Sequence, residues 1–175
     1  ESWALSGKLD IIGSGDSLLI NTGALTLSGV VSNTGITRVA KDASLQLGDG
    51  EKTATLSGGL TNNGTVIFNQ GSNFTFATNM TGSGNVEKVD SNTLTLTGKN
   101  SYTGDTVLHG GTTLVSSGAT LGVKGSNATV TIDNGATFAT AGEVNNNIAI
   151  LNGGTLAAWN AVQGNAMLSA AAVDT

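Results

Sequence analysis

Short alternating strands that come back into register every eighteen to twenty residues leave this chain few folds to adopt. Starting at Leu18, apolar residues recur at Ile36, Leu56, Phe76, Leu96, Leu114, Ile132 and Ile150, in steps of 18 or 20. A second series, Leu9, Leu27, Leu47, Phe68, Val86 and Val107, advances by 18 to 21. Several rungs lie in or beside segments that alternate apolar and polar residues, such as Ala24-Leu25-Thr26-Leu27-Ser28, Asn73-Phe74-Thr75-Phe76 and Thr129-Val130-Thr131-Ile132. Period two is the pattern of a strand that buries one face and wets the other. Turn signals such as Asn63-Gly64, Gly58-Gly59, Asn134-Gly135 and Asn152-Gly153 separate them. Asn-Gly in an antiparallel protein marks a two-residue hairpin. Here the repeat length decides for a solenoid, in which each coil stacks on the one before and Leu, Ile, Val and Phe stack in an inner column. At a strand spacing of about 4.8 Å, about eight coils would form a rod on the order of 40 Å long.

Composition agrees with a repetitive sheet. There are 26 glycines, no proline and no cysteine, and charged residues are only 11%, well under the roughly 25% of ordinary soluble domains. An outer face that is polar but uncharged follows. The net charge of −5, with seven basic residues scattered singly from Lys8 to Lys124, offers no stripe to follow a phosphate backbone, so nucleic acid is excluded as a partner. Lack of cysteine removes disulfides and thiol metal sites. No apolar run approaches the ~20 residues of a membrane helix, and no signal peptide begins at Glu1; the chain reads as a piece of a longer one.

The densest expression of the pattern runs from Gly82 to Val115. Thr93-Leu94-Thr95-Leu96-Thr97 is a strand, Gly98-Lys99-Asn100 a turn, Tyr102 a lone aromatic, Thr106-Val107-Leu108 a second strand, Gly110-Gly111 a turn, and Leu114-Val115 ends a third strand. Three strands and two turns with no room for a helix are what one coil of a parallel β-helix requires. Gly82, Gly84, Lys88, Leu94, Leu96, Gly98, Asn100, Tyr102-Thr103-Gly104, Thr106, Gly110-Gly111-Thr112 and Leu114 resemble the passenger-associated transport repeat of bacterial autotransporters, the type V secreted proteins. Two departures stand out: Asp90-Ser91-Asn92 replaces a glycine-bearing turn, and Thr112-Thr113 is one residue longer than the usual ending. The repeat covers 34 of 175 residues.

The resemblance implies an all-β, right-handed, single-stranded parallel β-helix, with coils over residues 1–156 and an irregular terminal coil, cap or linker over 157–175. It implies a passenger fragment, without enzymatic activity or cofactor, exported through the periplasm of a Gram-negative bacterium to the outer membrane and cell surface or beyond. There it would act as an autochaperone that seeds folding of a virulence-type passenger. Its partners would be its own translocator barrel and the upstream passenger coils, with a host-cell surface or a like passenger as further candidates, and no membrane insertion of this fragment. The folding and transport residues carried over are Gly82, Gly84, Leu94, Leu96, Gly98, Asn100, Tyr102, Gly104, Gly110, Gly111 and Leu114, with Leu94, Leu96 and Leu114 placed in the inner column.

Rival chemistries each require their own residues. An adhesive or self-associating surface would use a continuous outward Thr/Asn/Ser stripe. A carbohydrate-active β-helix would need paired carboxylates. Glu87 and Asp105, 18 apart, are the pair that could stack between coils, while Asp49 and Glu51 flank a turn at Gly50. His109 is the sole histidine and has no acid within three residues, so an exposed turn residue is expected rather than a zinc ligand or triad base. Tyr102 is expected to pack rather than act as an acid. Gly13-Ser14-Gly15-Asp16 resembles part of a calcium nonapeptide but occurs once, where that motif needs tandem copies. The Asn-x-Ser/Thr sequons at Asn63, Asn73, Asn79 and Asn127 follow from an Asn/Thr-rich chain.

Overall fold

A computed structural model describes residues 2–11, 17–33, 35–158 and 166–168. The fold is an all-β parallel solenoid of about seven turns, with no helix among the described residues. One wall consists of Ser2–Ile11, Gly23–Asn33, Ala43–Leu47, Thr65–Phe68, Asn85–Lys88, Thr106–Leu108, Thr129–Ile132, Asn147–Ile150 and Ala166–Leu168, each paired in parallel with the next. A second wall stacks Phe74–Phe76, Thr93–Leu96, Thr112–Val115, Thr137–Thr140 and Thr155–Ala158. A third is made of shorter strands in two runs. Leu19–Ile20, Ile36–Val39, Gly59–Asn62 and Met80–Thr81 form the first, and Lys99–Asn100, Thr120–Leu121 and Glu143–Val144 the second. The runs meet where the Ser101 N–H donates to the Met80 carbonyl at 2.8 Å. From Thr65 to Ile150 the chain visits the three walls in strict rotation.

Period-two alternation puts the apolar side chains inside. Leu45, Leu47, Val66, Phe68, Phe138 and Ile148 are wholly buried, and Phe68 meets Phe76 edge-on with ring centroids 5.1 Å apart, a favoured aromatic geometry. Burying such side chains is the main favourable term for the fold.

Register differs from the sequence expectation at identifiable places. Coil steps range beyond twenty: Thr106 pairs with Val130 and Thr112 with Thr137, 24 and 25 residues on, which is why fewer turns form than the eight expected. The strand Thr112–Val115 is not the third wall of its coil. It lies on the same wall as Thr93–Leu96, one coil later; between them the chain passes the third wall at Lys99–Asn100, a short strand where a turn is expected, and the first wall at Thr106–Leu108. Leu96 pairs with Val115, a step of 19. An odd step inverts parity, since a one-residue slip turns every side chain to the other face. Thr113 and Val115 therefore point inward, 2% and 0% exposed, and Leu114, expected inside, is half-buried on the outer side. Leu94 and Leu96 are buried as expected. The boundary expected after residue 156 does not end the sheets, because Thr155–Ala158 and Ala166–Leu168 continue two walls. The rest of that terminal segment lies outside the described residues.

Candidate functional site: a buried lysine in the inner column

Seven register partners follow one another up the first wall: Leu27, Leu47, Phe68, Lys88, Leu108, Ile132 and Ile150. Six are apolar. The fourth is a lysine with 0% exposure. A buried ammonium is tolerated only when it is paired and its donors are satisfied. Lys88 Nζ has three acceptors, matching its three donors: Asp90 Oδ1 at 3.0 Å, the Asp90 carbonyl at 2.7 Å and the Gly110 carbonyl at 2.9 Å.

Asp90, 8% exposed, is shared in turn. Its Oδ1 also accepts the Asn92 N–H at 2.9 Å, and its Oδ2 accepts the Gln70 N–H at 2.9 Å. Gln70 clamps Ala54 on both sides, accepting its N–H at Oε1 (2.8 Å) and donating from Nε2 to its carbonyl (3.1 Å). Asn92 Nδ2 closes the loop on the Gln70 carbonyl at 2.7 Å. A chain of hydrogen bonds thus links Ala54, Gln70, Asp90, Lys88 and Gly110 along one corner of the solenoid. The Asp90-Ser91-Asn92 turn, a departure from the transport repeat, supplies the counter-ion and the cap. Gly111 turns the backbone here at φ +59°, and a Cβ on it would come within 2.4 Å of the Asn92 carbonyl and 2.7 Å of Lys88 Nζ. A side chain there would displace the ammonium.

Lys88 belongs to the repeat, and its burial departs from the rule that a lysine faces water. The signal was present: in Asn85-Val86-Glu87-Lys88 the lysine shares the parity of Val86, and an aspartate follows two residues later.

Glycines of the repeat pack tightly at the corners. Gly64, Gly84 and Gly104 stack so closely that a Cβ on Gly84 would lie 2.3 Å from the Gly64 carbonyl oxygen, and one on Gly104 2.1 Å from that of Gly84. Gly82 meets the Asn62 carbonyl, Gly98 the Thr78 carbonyl and Gly110 the Asp90 carbonyl. At corners where the ladder breaks, carboxamides replace it: Asn63, Asn73, Asn79 and Asn85 each accept the backbone N–H of a residue 20 positions on. Three of the four sequon asparagines are thereby turn-locking residues. Asn100, fully buried, accepts the Met80 N–H. Tyr102 is buried, bonded to the Thr106 hydroxyl, and burial pushes its phenol well above the usual range. It packs, as expected.

The catalytic candidates do not assemble. Glu87 pairs in register with Ile67 and Val107, not with Asp105. Asp105 instead sits at a turn, where its Oδ1 accepts the Thr129 N–H at 2.8 Å. The 20-residue step between these coils, rather than 18, separates the two acids. Asp49 Oδ1 accepts the N–H groups of Lys52 and Glu51, and the first of these bonds does most to hold its carboxyl below the usual value. His109 is exposed as expected, yet its Nδ1 lies 2.7 Å from Asp133 Oδ2 in the next coil. Among the described residues no three His, Cys, Asp or Glu side chains converge to hold a metal. Gly13 to Asp16 lie outside the described residues.

No protein-family profile matches the chain, and no solved structure matches it. Over 78 residues, 44% of this chain, it is 46% identical to the adhesin BmaC autotransporter of Brucella suis biovar 1 (strain 1330). The match spans 2% of that protein's length. Over that stretch the chain is related to an autotransporter adhesin, and its parallel β-solenoid is consistent with an autotransporter passenger.

Proposed function

We propose that this chain is a passenger segment of an autotransporter, displayed at the cell surface, whose 82–115 region seeds folding of the coils upstream during export. It works by templating, without catalysis, and its partners are the upstream coils and the translocator barrel. The observation that carries the reading is the inner column running unbroken from Leu27 to Ile150, with its one charge neutralised inside the repeat. In such a one-dimensional stack the first coil is costly and each later one is added to a finished edge, so a stable segment at one end sets the direction. The test is Leu96→Ala in the full-length protein. It should lower surface display and leave a protease-sensitive passenger, whereas Thr95→Ala on the outer face should not. Equal display and equal protease resistance of the two variants would reduce the segment to a passive stalk.

A second reading, adhesion or self-association, is favoured by the outer surface of the second wall. Thr93, Thr112, Thr137 and Thr155 stand in one register column there, a row of hydroxyls along the sheet. Replacing all four by lysine should abolish clumping while sparing secretion. Clumping that survives the replacement would exclude this column.

A further inference from the structure

We propose that Asn152-Gly153 is a site of spontaneous modification, where the asparagine loses ammonia to become aspartate or isoaspartate, and that this conversion releases Asn134, one coil earlier, to react in turn. The chain has three Asn-Gly pairs, at 63–64, 134–135 and 152–153, and all three asparagines are exposed. A following glycine leaves the backbone nitrogen unhindered by a side chain. Once base has taken its proton, that nitrogen attacks the asparagine Cγ. The N–Cγ bond forms, the Cγ–Nδ2 bond breaks, and ammonia leaves with a proton from water. Water then opens the five-membered imide at either of its C–N bonds, one giving aspartate and the other isoaspartate, with no change of oxidation state. The step needs a glycine N–H that base can reach and a carboxamide free to swing over it.

The fold grants both conditions at one pair. At the first pair both partners are held: the Gly64 N–H donates to Asn62 Oδ1 at 3.1 Å, and Asn63 Oδ1 accepts the Ser83 N–H at 3.2 Å and the Ser83 hydroxyl at 3.4 Å. The other two pairs occupy equivalent β-turns one coil apart. The Ala136 N–H donates to the Asp133 carbonyl at 3.0 Å and the Gly154 N–H to the Leu151 carbonyl at 2.9 Å. Gly135 and Gly153 have φ of +80° and +82°, at the turn position where type II geometry needs glycine. What differs is the lock on the nucleophile. The Gly135 N–H donates to the Gly153 carbonyl at 3.0 Å, and the Asn134 carboxamide lies against Gly153, on which a Cβ would come 2.1 Å from Asn134 Oδ1. Among the described residues, neither the Gly153 N–H nor the Asn152 carboxamide has a hydrogen-bond partner. Isoaspartate at 152 lengthens the backbone by one carbon directly ahead of Gly153, whose carbonyl is that lock. Shifting the carbonyl frees the Gly135 nitrogen and unpacks Asn134, so the reaction passes from the later turn to the earlier one. This chemistry stands apart from any role in export.

The test incubates the 175-residue chain in mildly alkaline buffer, once folded and once in urea, and follows conversion at each asparagine by mass spectrometry of tryptic peptides. Lys124 is the last basic residue, so one peptide, 125–175, carries both Asn134 and Asn152 and shows which reacted in the same molecule. In urea the three pairs should convert at similar rates, since the dipeptide is the same. In the folded chain Asn152 should stay within about threefold of its urea rate, while Asn63 and Asn134 slow by about tenfold or more. Equal rates at the three sites of the folded chain, or an Asn152 as protected as Asn63, overturns the site. The relay is read from the same peptide: Asn134 should convert about tenfold faster in molecules already carrying isoaspartate at 152 than in those still intact there. Asn152→Ser removes the first reaction and should hold Asn134 at the slow rate throughout. Conversion of Asn134 that ignores the state of position 152 in the wild type, or that is as fast in Asn152→Ser as in the wild type, overturns the relay.

Discussion

Two neighbouring parts of the solenoid solve the same packing problem with different success. Between Thr65 and Leu108 the coil steps stay at 20, and the buried polar side chains Gln70, Lys88, Asp90, Asn100 and Thr106 all have hydrogen-bond partners. Beyond it the step widens to 24 and 25, and buried atoms without a partner collect on the residues flanking that wide coil. They are Thr113 Oγ1, Asn145 Oδ1, and both Nδ2 and Oδ1 of Asn146. Constant step length keeps each side chain over its equivalent, so a polar group can be matched to one partner. Once the step changes, polar residues that enter the core meet whatever the longer loop leaves opposite them. Asn146 Oδ1 faces Gly122, close enough that a Cβ on the glycine would be 2.0 Å away. Uniform repeat length is thus what lets the regular part hold a charge inside.

The largest effect should come from breaking the matched part. Asp90→Ala strips Lys88 of its counter-ion and deprives the Gln70 and Asn92 N–H groups of their acceptor. A loss of about 3 to 5 kcal/mol is expected, read as a shift in the urea unfolding midpoint. A loss under about 1 kcal/mol would mean that water reaches Lys88 and that the corner is not sealed. Next comes Leu96→Ala, which removes a side chain stacked in register between Phe76 and Val115 and should cost about 2 to 5 kcal/mol. Leu114→Ala is its control on the next coil. Being turned outward by the odd step, Leu114 should change stability by about 0.5 kcal/mol or less. Equal losses at the two leucines would place Leu114 in the core after all and refute the parity argument.

Those two leucines also show how far the sequence could be read. Alternation and repeat length identified the strands, the solenoid and the burial of Leu94, Leu96 and Tyr102, because the inside of a narrow sheet stack demands apolar residues at every second position. Register was harder to read, since it depends on loop lengths that period counting averages away. The second apolar series follows the true column through Leu27, Leu47 and Phe68 and then steps to Val86, where the structure continues to Lys88. An apolar-only count has to skip a lysine. The Lys88 site was obscured by the same rule that exposed the fold: charged side chains are normally outside, and only the match of three donors to three acceptors reverses that.

The unmatched part offers the opposite kind of test. Asn146→Leu replaces a fully buried carboxamide that has no partner with an apolar side chain of similar size. Because an unsatisfied buried polar group carries a desolvation cost of about 1 to 3 kcal/mol, the variant should unfold at higher urea, with a gain of about that size. The same substitution at Asn100, whose Oδ1 accepts the Met80 N–H, should destabilise. If both asparagines respond alike, the contrast between matched and unmatched coils is wrong.

The smallest expected effect lies on the seam between the two parts. His109 and Asp133 face each other at 2.7 Å across the 24-residue step that takes Leu108 to Ile132, with side chains 43% and 28% exposed. An outside tether at that place is a natural suspect for holding the widened coil in register. The packing argues otherwise. Leu108 and Ile132 are buried directly beneath it, the Asp133 N–H already donates to the Leu108 carbonyl at 3.0 Å, and water and salt screen an exposed pair. His109→Ala should therefore change stability by about 0 to 1 kcal/mol, and whatever remains should fade as ionic strength rises past about 0.15 M. Urea midpoints of the wild type and the variant, compared at low and high salt, decide it. A loss above about 2 kcal/mol that survives salt would show that the wide coil depends on its surface tether, and the boundary between self-sufficient and assisted coils would then fall at Leu108 rather than within the polar interior.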